Sequence, residues 1–210
     1  MGFWGTYIVG RSEQALAELP ALAPAADDVV WQDFGLDGWQ YLQVHHGPDG
    51  WDSRDLPGAW EATLRALMEQ TGHPVLAAAV LDSDGCQLIG YGPESGRWGG
   101  WLMLDRIIGH FHPEAQPQVT LGEIDEDGYP TSVEYEDEES VRPRYEAAVA
   151  RLTVAAGPPG SLAAPAALGW AAEAGLHPSP SAVMDDMDVF AEEHFFTFLT
   201  TLGVPGLTTR

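Results

Sequence analysis

The chain has 210 residues, 45% of them apolar, and its 32 acidic side chains outnumber 9 basic ones to give a formal net charge of −23. A chain of this length and apolar content buries a core of its own, which excludes intrinsic disorder as a description of the whole. The negative field repels phosphate backbones and anionic headgroups, so we expect no nucleic-acid or membrane partner and favour a basic protein partner.

The cysteine content and the N-terminal sequence bear on location. A single cysteine, Cys86, excludes an internal disulfide and every zinc site built from several cysteines. No basic stretch precedes an apolar run at the N-terminus, and no apolar run approaches the ~18 residues of a membrane-spanning helix. The expected location is the cytoplasm.

Strand patterns dominate the first hundred residues. Aromatic and β-branched residues predict a first strand at 3–11, and an alternating pattern predicts another at 39–46. Residues 73–104 give the clearest signal, because three apolar segments are separated by turn sequences at 82–85 and 92–96. This segment is predicted to form an antiparallel meander.

Two helices are predicted between these strands. Ser12 can cap a short helix that stops near Pro20. A longer helix is predicted to begin at Asp55 and to end at Gly72, which accepts a left-handed cap conformation. The apolar residues of the second helix share one face: Leu56, Trp60, Leu64, Leu67 and Met68.

Helical patterns dominate after a short helix predicted at residues 104–111. One helix is expected around residues 141–152, and Ser161 can cap the next, which ends at Gly175. Ser179 followed by Pro180 is a good start for a last, strongly apolar helix. That helix is expected to pack on the sheet or on the preceding helices, with an oligomer or partner interface as the alternative. Its apolar face contains Met184, Met187, Ala191, Phe195, Phe198 and Leu202.

Together these patterns predict an α+β fold. An antiparallel sheet of about five to seven strands is expected in the N-terminal two thirds, with helices packed on it and a helical C-terminal region. We expect residues 1–139 to form the α+β sheet domain. Residues 140–210 are expected to pack on that sheet as one unit with it.

The most unusual segment is the acidic stretch at residues 122–140, which contains nine carboxylates and no basic side chain. Its outer parts alternate with a period of two around a central Asp-Glu-Asp-Gly, which predicts two strands joined by a tight turn. We predict that this negative surface binds the partner. The residues assigned to it are Asp125, Glu126, Asp127, Glu134, Glu136, Asp137, Glu138 and Glu139.

The same stretch has part of the spacing of an EF-hand calcium loop. Oxygen donors occupy positions one, three, five, nine and twelve of residues 123–134, with Gly128 at position six. A glutamate at position one, Pro130 at position eight and the lack of flanking amphipathic helices argue against a true EF-hand. A looser cation site, or a hairpin with no ligand, remains open. The candidate ligands are Glu123, Asp125, Asp127 and Glu134.

Other candidate chemistry is sparse. His110 and His112, if they lie on a strand, point the same way and supply half of a metal site. Cys86 follows a turn and is expected to be a small core residue rather than a nucleophile. Trp98 and Trp101 are expected to be structural, with a ligand groove as the alternative. We predict no cofactor, because the sequence has no cofactor-binding motif.

The residues therefore favour a cytosolic, non-enzymatic module that binds a basic protein partner, and a homodimer remains possible. The acidic, motif-poor composition resembles that of immunity or inhibitor proteins, which neutralise a basic toxin or nuclease. One alternative is a small-molecule hydrolase or metal-dependent enzyme with a carboxylate or histidine site. The other is a structural or assembly subunit that uses the apolar C-terminal helix.

Overall fold

A six-stranded antiparallel sheet forms the centre of the molecule. The structure, a computed structural model, describes residues 2–45, 60–178 and 191–205. The strands of the sheet are β1 (Gly5–Arg11), β2 (Val29–Phe34), β3 (Trp39–Val44), β4 (Val75–Leu81), β5 (Gly85–Gly92) and β6 (Gly96–Leu102). Their spatial order is β2-β3-β1-β4-β5-β6, and every neighbouring pair is antiparallel. The predicted α+β fold, the strand number and the meander at β4-β5-β6 are confirmed.

Helices cover both faces of this sheet. In the described residues the α-helices are α1 (Glu61–Thr71), α2 (Leu104–Phe111), α3 (Glu138–Ala156), α4 (Ala164–Glu173) and α5 (Ala191–Leu202). Every residue of β4 and β5 is buried. A half-exposed strand alternates apolar and polar residues, whereas a strand covered on both faces is apolar throughout. Strand β4 is of the second kind, with the sequence Val-Leu-Ala-Ala-Ala-Val-Leu.

The C-terminal helices α4 and α5 pack on one face. Trp170, Phe195 and Phe198 join a buried cluster with Leu76 and Leu88 of the sheet. The indole nitrogen of Trp170 donates a hydrogen bond to the carbonyl of Val75 at 3.1 Å. The prediction that the last helix packs on the sheet is confirmed for Ala191–Leu202, and its apolar face is therefore occupied within the same chain.

Helices α1, α2 and α3 cover the opposite face in two adjoining clusters. Leu64 of α1 packs in the first cluster, with Ile8 of β1. Ile107 of α2 and Leu152 of α3 pack in the second, beside Trp101 of β6. Helices α2 and α3 are thus held side by side against the sheet, and the chain that joins them leaves the body of the protein between them.

That connecting chain forms a separate two-stranded hairpin. Strands β7 (Val119–Leu121) and β8 (Val133–Tyr135) pair antiparallel with each other in a sheet of their own. The short 3-10 helix Pro113–Ala115 precedes it and α3 follows it. We call residues 117–136 the acidic hairpin. The predicted pair of strands around Asp-Glu-Asp-Gly is confirmed.

Several local predictions need correction. The segment after Ser12 forms the 3-10 helices Leu16–Glu18 and Pro20–Asp28, so Pro20 begins a helix instead of ending one. Proline lacks an amide donor, and the first turn of a helix tolerates this lack. Strand β2 was not predicted. Ser161 makes no side-chain cap, because α4 begins only after the 3-10 helix Gly160–Ala163.

Some predictions fall outside the described residues. They concern Asp55, Leu56, Ser179, Pro180, Met184 and Met187. Where it is described, the long helix ends as expected, at Gly72 with φ 67°. None of the helices in residues 2–45, 60–178 and 191–205 combines the length and the apolar character needed to cross a bilayer.

Candidate partner-binding surface

The turn of the acidic hairpin is built by Asp125. Its carboxylate Oδ1 accepts hydrogen bonds from the backbone amides of Asp127 at 3.0 Å and Tyr129 at 2.9 Å. The backbone amide of Asp125 donates to the carbonyl of Tyr129 at 2.8 Å. Gly128 has φ 86°, a left-handed conformation that glycine adopts without strain. These contacts close the strands into a tight turn, so Asp125 has a structural role there.

The two faces of the hairpin differ in chemistry. Val119 lies opposite Tyr135, and Leu121 lies opposite Val133. Because side chains alternate along a strand, these four apolar residues share one face of the ribbon. The opposite face presents Thr120 and Glu134, which also pair directly.

This apolar face is not covered by the described part of the chain. Half of the large apolar residues that are exposed in the described residues lie on the acidic hairpin. They are Val119 (49% exposed), Leu121 (56%), Ile124 (61%), Tyr129 (69%), Val133 (45%) and Tyr135 (71%). Single exposed apolar residues are ordinary on a protein surface, whereas a contiguous group on one element is typical of a binding surface.

Arg144 of α3 holds the base of the hairpin. Its guanidinium group binds both carboxylate oxygens of Glu136, at 2.9 and 2.6 Å. It also donates to the carbonyl of Glu114 at 2.6 Å and to that of Ser140 at 3.2 Å. Glu114 precedes β7 and Glu136 follows β8, so one side chain ties both stems to α3. The hydrogen bonds from Arg144 hold the pKa of Glu136 below its ordinary value.

An open groove of about 560 Å³ lies between the hairpin and the two helices beside it. Val119 and Tyr135 line it from the hairpin, Ile108 from α2, and Val141 and Tyr145 from α3. The apolar face of the ribbon therefore continues into an apolar depression on the body of the protein.

The groove has a polar edge at Asp105. The hydroxyl of Tyr145 donates a hydrogen bond to the carboxylate of Asp105. Burial, as the largest cause, and this hydrogen bond, as the second, raise the pKa of Tyr145 to about 12. A group that transfers protons in catalysis works best with a pKa near the ambient pH. The Tyr145 phenol is shifted away from that range, so it stays protonated at neutral pH and donates this hydrogen bond.

The predicted partner-binding carboxylates divide into two groups. Glu136 binds the guanidinium group of Arg144. Asp137 caps α3, because its carboxylate accepts a hydrogen bond from the amide of Ser140 at 3.0 Å. A carboxylate oxygen of Glu138 lies 3.2 Å from a guanidinium nitrogen of Arg142. With Asp125 in the turn, these residues stabilise the hairpin and its base. The remaining assigned residues, Glu126, Asp127, Glu134 and Glu139, are exposed. Glu139 lies apart, in the first turn of α3.

The candidate calcium ligands lie on this hairpin and not in a loop that two helices flank directly. Glu123, Asp125, Asp127 and Glu134 occupy strands and turn, so the flanking helices of an EF-hand are replaced by β7 and β8. The carboxylate of Asp125 already accepts hydrogen bonds from two backbone amides. Within the described residues, no group of three or more histidine, cysteine, aspartate or glutamate side chains is arranged to hold a metal ion.

The two histidines do not share a strand, which corrects the geometry expected for them. His110 lies in the last turn of α2, with its ring edge-on to Trp4 and its Nε2 atom 3.9 Å from Asp84 Oδ2. His112 follows that helix, and its Nδ1 atom lies 3.1 Å from Glu114 Oε1. The imidazoles have different neighbours, because the helical backbone turns successive side chains in different directions.

The remaining candidates are core residues. Cys86 is fully buried, and burial raises the pKa of its thiol. Trp98 and Trp101 are buried on opposite faces of the sheet. These positions confirm their predicted structural roles.

Sequence reasoning found the carboxylates of the hairpin but missed its apolar face and the groove. The signal was present in the alternation of Val119 with Leu121 and of Val133 with Tyr135. That alternation predicts two strands joined by a tight turn, but a period of two does not reveal whether another layer covers the apolar side. No protein-family model, curated protein or solved structure matches this chain.

Proposed function

We propose that this chain is a cytoplasmic, non-enzymatic module that binds a basic protein partner through the acidic hairpin, in the manner of an inhibitor or immunity protein. The observation that carries this proposal is the uncovered apolar face of the hairpin, with Val119, Leu121, Val133 and Tyr135 exposed beside a groove. Apolar contact supplies free energy of binding, and the surrounding charge selects the partner.

The charge of the hairpin defines the partner. Residues 117–136 contain no basic side chain. Four exposed carboxylates of this segment, Glu123, Glu126, Asp127 and Glu134, form what we call the carboxylate quartet. A negative surface on a chain with a net charge of −23 accelerates encounters with a basic protein and slows encounters with an acidic one.

The same charge opposes a second copy of the chain on this surface. Two identical hairpins in contact bring their carboxylates together, and like charges destabilise such an interface. A homodimer needs another surface. Val30, Phe34 and Leu36, which are exposed on and beside edge strand β2, offer one.

The test compares two variants of equal charge. The quartet variant carries Glu123→Gln, Glu126→Gln, Asp127→Asn and Glu134→Gln, and the control variant carries Glu13→Gln, Glu18→Gln, Asp27→Asn and Asp28→Asn. Both remove four exposed charges, so the net charge becomes −23 + 4 = −19 in each. A partner recovered by affinity purification at low salt is then titrated with both, and its association rate is measured at several salt concentrations.

We expect the quartet variant to associate roughly tenfold or more slowly at low salt and to show a weaker salt dependence than the wild type. The control variant should stay near the wild-type rate. Equal rates for the two variants contradict the proposal, because only the net charge and not the hairpin then matters.

A further inference from the structure

We propose that the acidic hairpin binds its partner by strand addition: an extended segment of the basic partner, with alternating apolar and cationic residues, pairs antiparallel with the outer edge of β8. This inference rests on the proposed function and specifies the partner segment. A protein segment of this kind adds main-chain hydrogen bonds to the apolar contact and the charge contact.

The hydrogen bonds of the hairpin show which backbone groups face outward. The amide of Glu136 donates to the carbonyl of Gln118 at 2.9 Å, and the amide of Gly122 donates to the carbonyl of Ser132 at 2.8 Å. In an antiparallel pair, residues that exchange hydrogen bonds alternate with residues whose backbone groups point away from the partner strand. Val133 and Tyr135 therefore direct their amides and carbonyls to the outer edge of β8.

The two faces of the ribbon predict the sequence pattern of the added strand. A strand paired to the edge continues both faces, because its side chains alternate in the same way. Residues opposite Val133 and Tyr135 meet the apolar face, and those between them meet the face that carries Glu134. Apolar residues and arginine or lysine in strict alternation fit both faces, and cross-strand pairs of opposite charge stabilise a sheet.

The charge distribution selects β8 over β7. The polar side of β7 presents the uncharged Thr120 and Gln118, whereas the polar side of β8 presents Glu134. A cationic strand gains a direct charge partner only beside β8. The groove lies next to Tyr135, so an apolar side chain at the end of the added segment can reach it.

The experiment uses the whole chain and a defined probe, an end-blocked octapeptide of alternating valine and arginine. In the antiparallel register, the valines exchange hydrogen bonds with β8 and the arginine amides face solvent. Methylation of the valine amides should therefore weaken binding roughly tenfold or more, whereas methylation of the arginine amides leaves affinity within about twofold. The two methylated peptides have the same charge, mass and apolar content. Calorimetry or NMR titration measures the affinities.

A matched pair of protein variants identifies the edge. Val133→Pro removes an outward amide from β8, and Leu121→Pro removes one from β7, without breaking a hydrogen bond inside the hairpin. We expect both variants to weaken peptide binding, because each replaces an apolar side chain of the shared face. Val133→Pro should weaken it roughly tenfold further than Leu121→Pro, because it also removes an amide that faces the added strand. Neither residue belongs to the buried clusters on the sheet, and near-ultraviolet circular dichroism checks that the core is intact.

The outcomes separate this inference from the proposed function. Equal binding of the valine-methylated peptide and the parent peptide overturns strand addition. If the carboxylate quartet still governs association of the protein partner in that case, the proposed function stands without it. No binding of the parent peptide also overturns the strand inference. If the quartet has no effect on the protein partner, the proposed function fails whatever the peptide does.

Discussion

Arg144 is the side chain on which the position of the hairpin depends most directly. Its guanidinium group donates two hydrogen bonds to Glu136 and one to the carbonyl of Glu114, so it joins both stems to α3. A planar guanidinium group matches a carboxylate in this two-point geometry, and a lysine ammonium group does not. The surface assigned to the partner is therefore positioned by a residue that lies outside it.

Replacement of this residue gives the first prediction. In Arg144→Met the stems should lose their attachment, so amide exchange in residues 117–136 accelerates and partner binding weakens. The melting temperature should change by less than about 3 °C, because an ion pair at the surface contributes little to global stability. Exchange measured by mass spectrometry checks the result. Arg144→Lys should restore little of the protection.

The control for that prediction is Arg142→Met. Arg142 forms an exposed pair with Glu138 one helical turn away, at 3.2 Å. This variant makes the same change of charge on the same helix, but it removes a hydrogen bond to Glu138 and none to Glu114 or Glu136. Equal acceleration of exchange in both variants contradicts the role given to Arg144.

The same contact predicts a dependence on pH. Hydrogen bonds from Arg144 lower the pKa of Glu136 from its ordinary value of 4.5. A carboxyl with a lowered pKa in the folded state contributes stability above the ordinary value, and that contribution is lost as pH falls through the folded value. Amide protection of the hairpin, corrected for intrinsic exchange, should be constant above about pH 5 and fall below pH 4.5. In Arg144→Met this decrease should be smaller, because the amide of Gln118 still donates to Glu136.

At the scale of elements, the acidic hairpin is separate from the packed core. Its strands pair only with each other, and none of its residues belongs to the three buried clusters of the described chain. The sheet and its helices should therefore fold without it. The hairpin contributes exposed apolar area and no buried layer. This arrangement is compatible with the proposed binding of a partner protein.

A replacement of the hairpin tests this separation. Gln118 and Glu136 are hydrogen-bonded neighbours at its base, so an Asn-Gly turn can join them in place of residues 119–135. The shortened chain should keep its near-ultraviolet spectrum and a melting temperature within about 4 °C of the wild type, while losing partner binding. Loss of the folded state shows instead that the hairpin supports the core.

The elements themselves were largely predictable, and their surroundings were not. Period-two alternation identified β7 and β8, and an apolar run with turn residues identified β4 and β5. Strand β2 was missed because Val29, Val30 and Trp31 are followed by polar residues in an edge strand that is only partly buried. The groove was missed because its lining comes from Ile108, Val141 and Tyr145, which are brought together only by the packing of α2 beside α3.

At the scale of the whole molecule, the helical layers on the two faces of the sheet pack against the same buried strands. Helices α4 and α5 cover one side of β4 and β5, and α1, α2 and α3 cover the other. Removal of either helical layer exposes the apolar side chains of the strands, so we expect neither layer to remain folded without the other. Residues 140–178 and 191–205 should then unfold together with the sheet, as one unit.

Two truncations on opposite sides of the sheet test this coupling. Phe198→Ala in α5 and Leu64→Ala in α1 each create a cavity beside fully or almost fully buried strands, and each should lower the free energy of unfolding by about 2–5 kcal/mol. In both variants the unfolding curves from far-ultraviolet circular dichroism and from tryptophan fluorescence should coincide. An earlier loss of helical signal in Phe198→Ala, ahead of the fluorescence change, contradicts a single unit. That result assigns α4 and α5 to a region that unfolds by itself, and coincident curves place them in the same cooperative structure as the sheet.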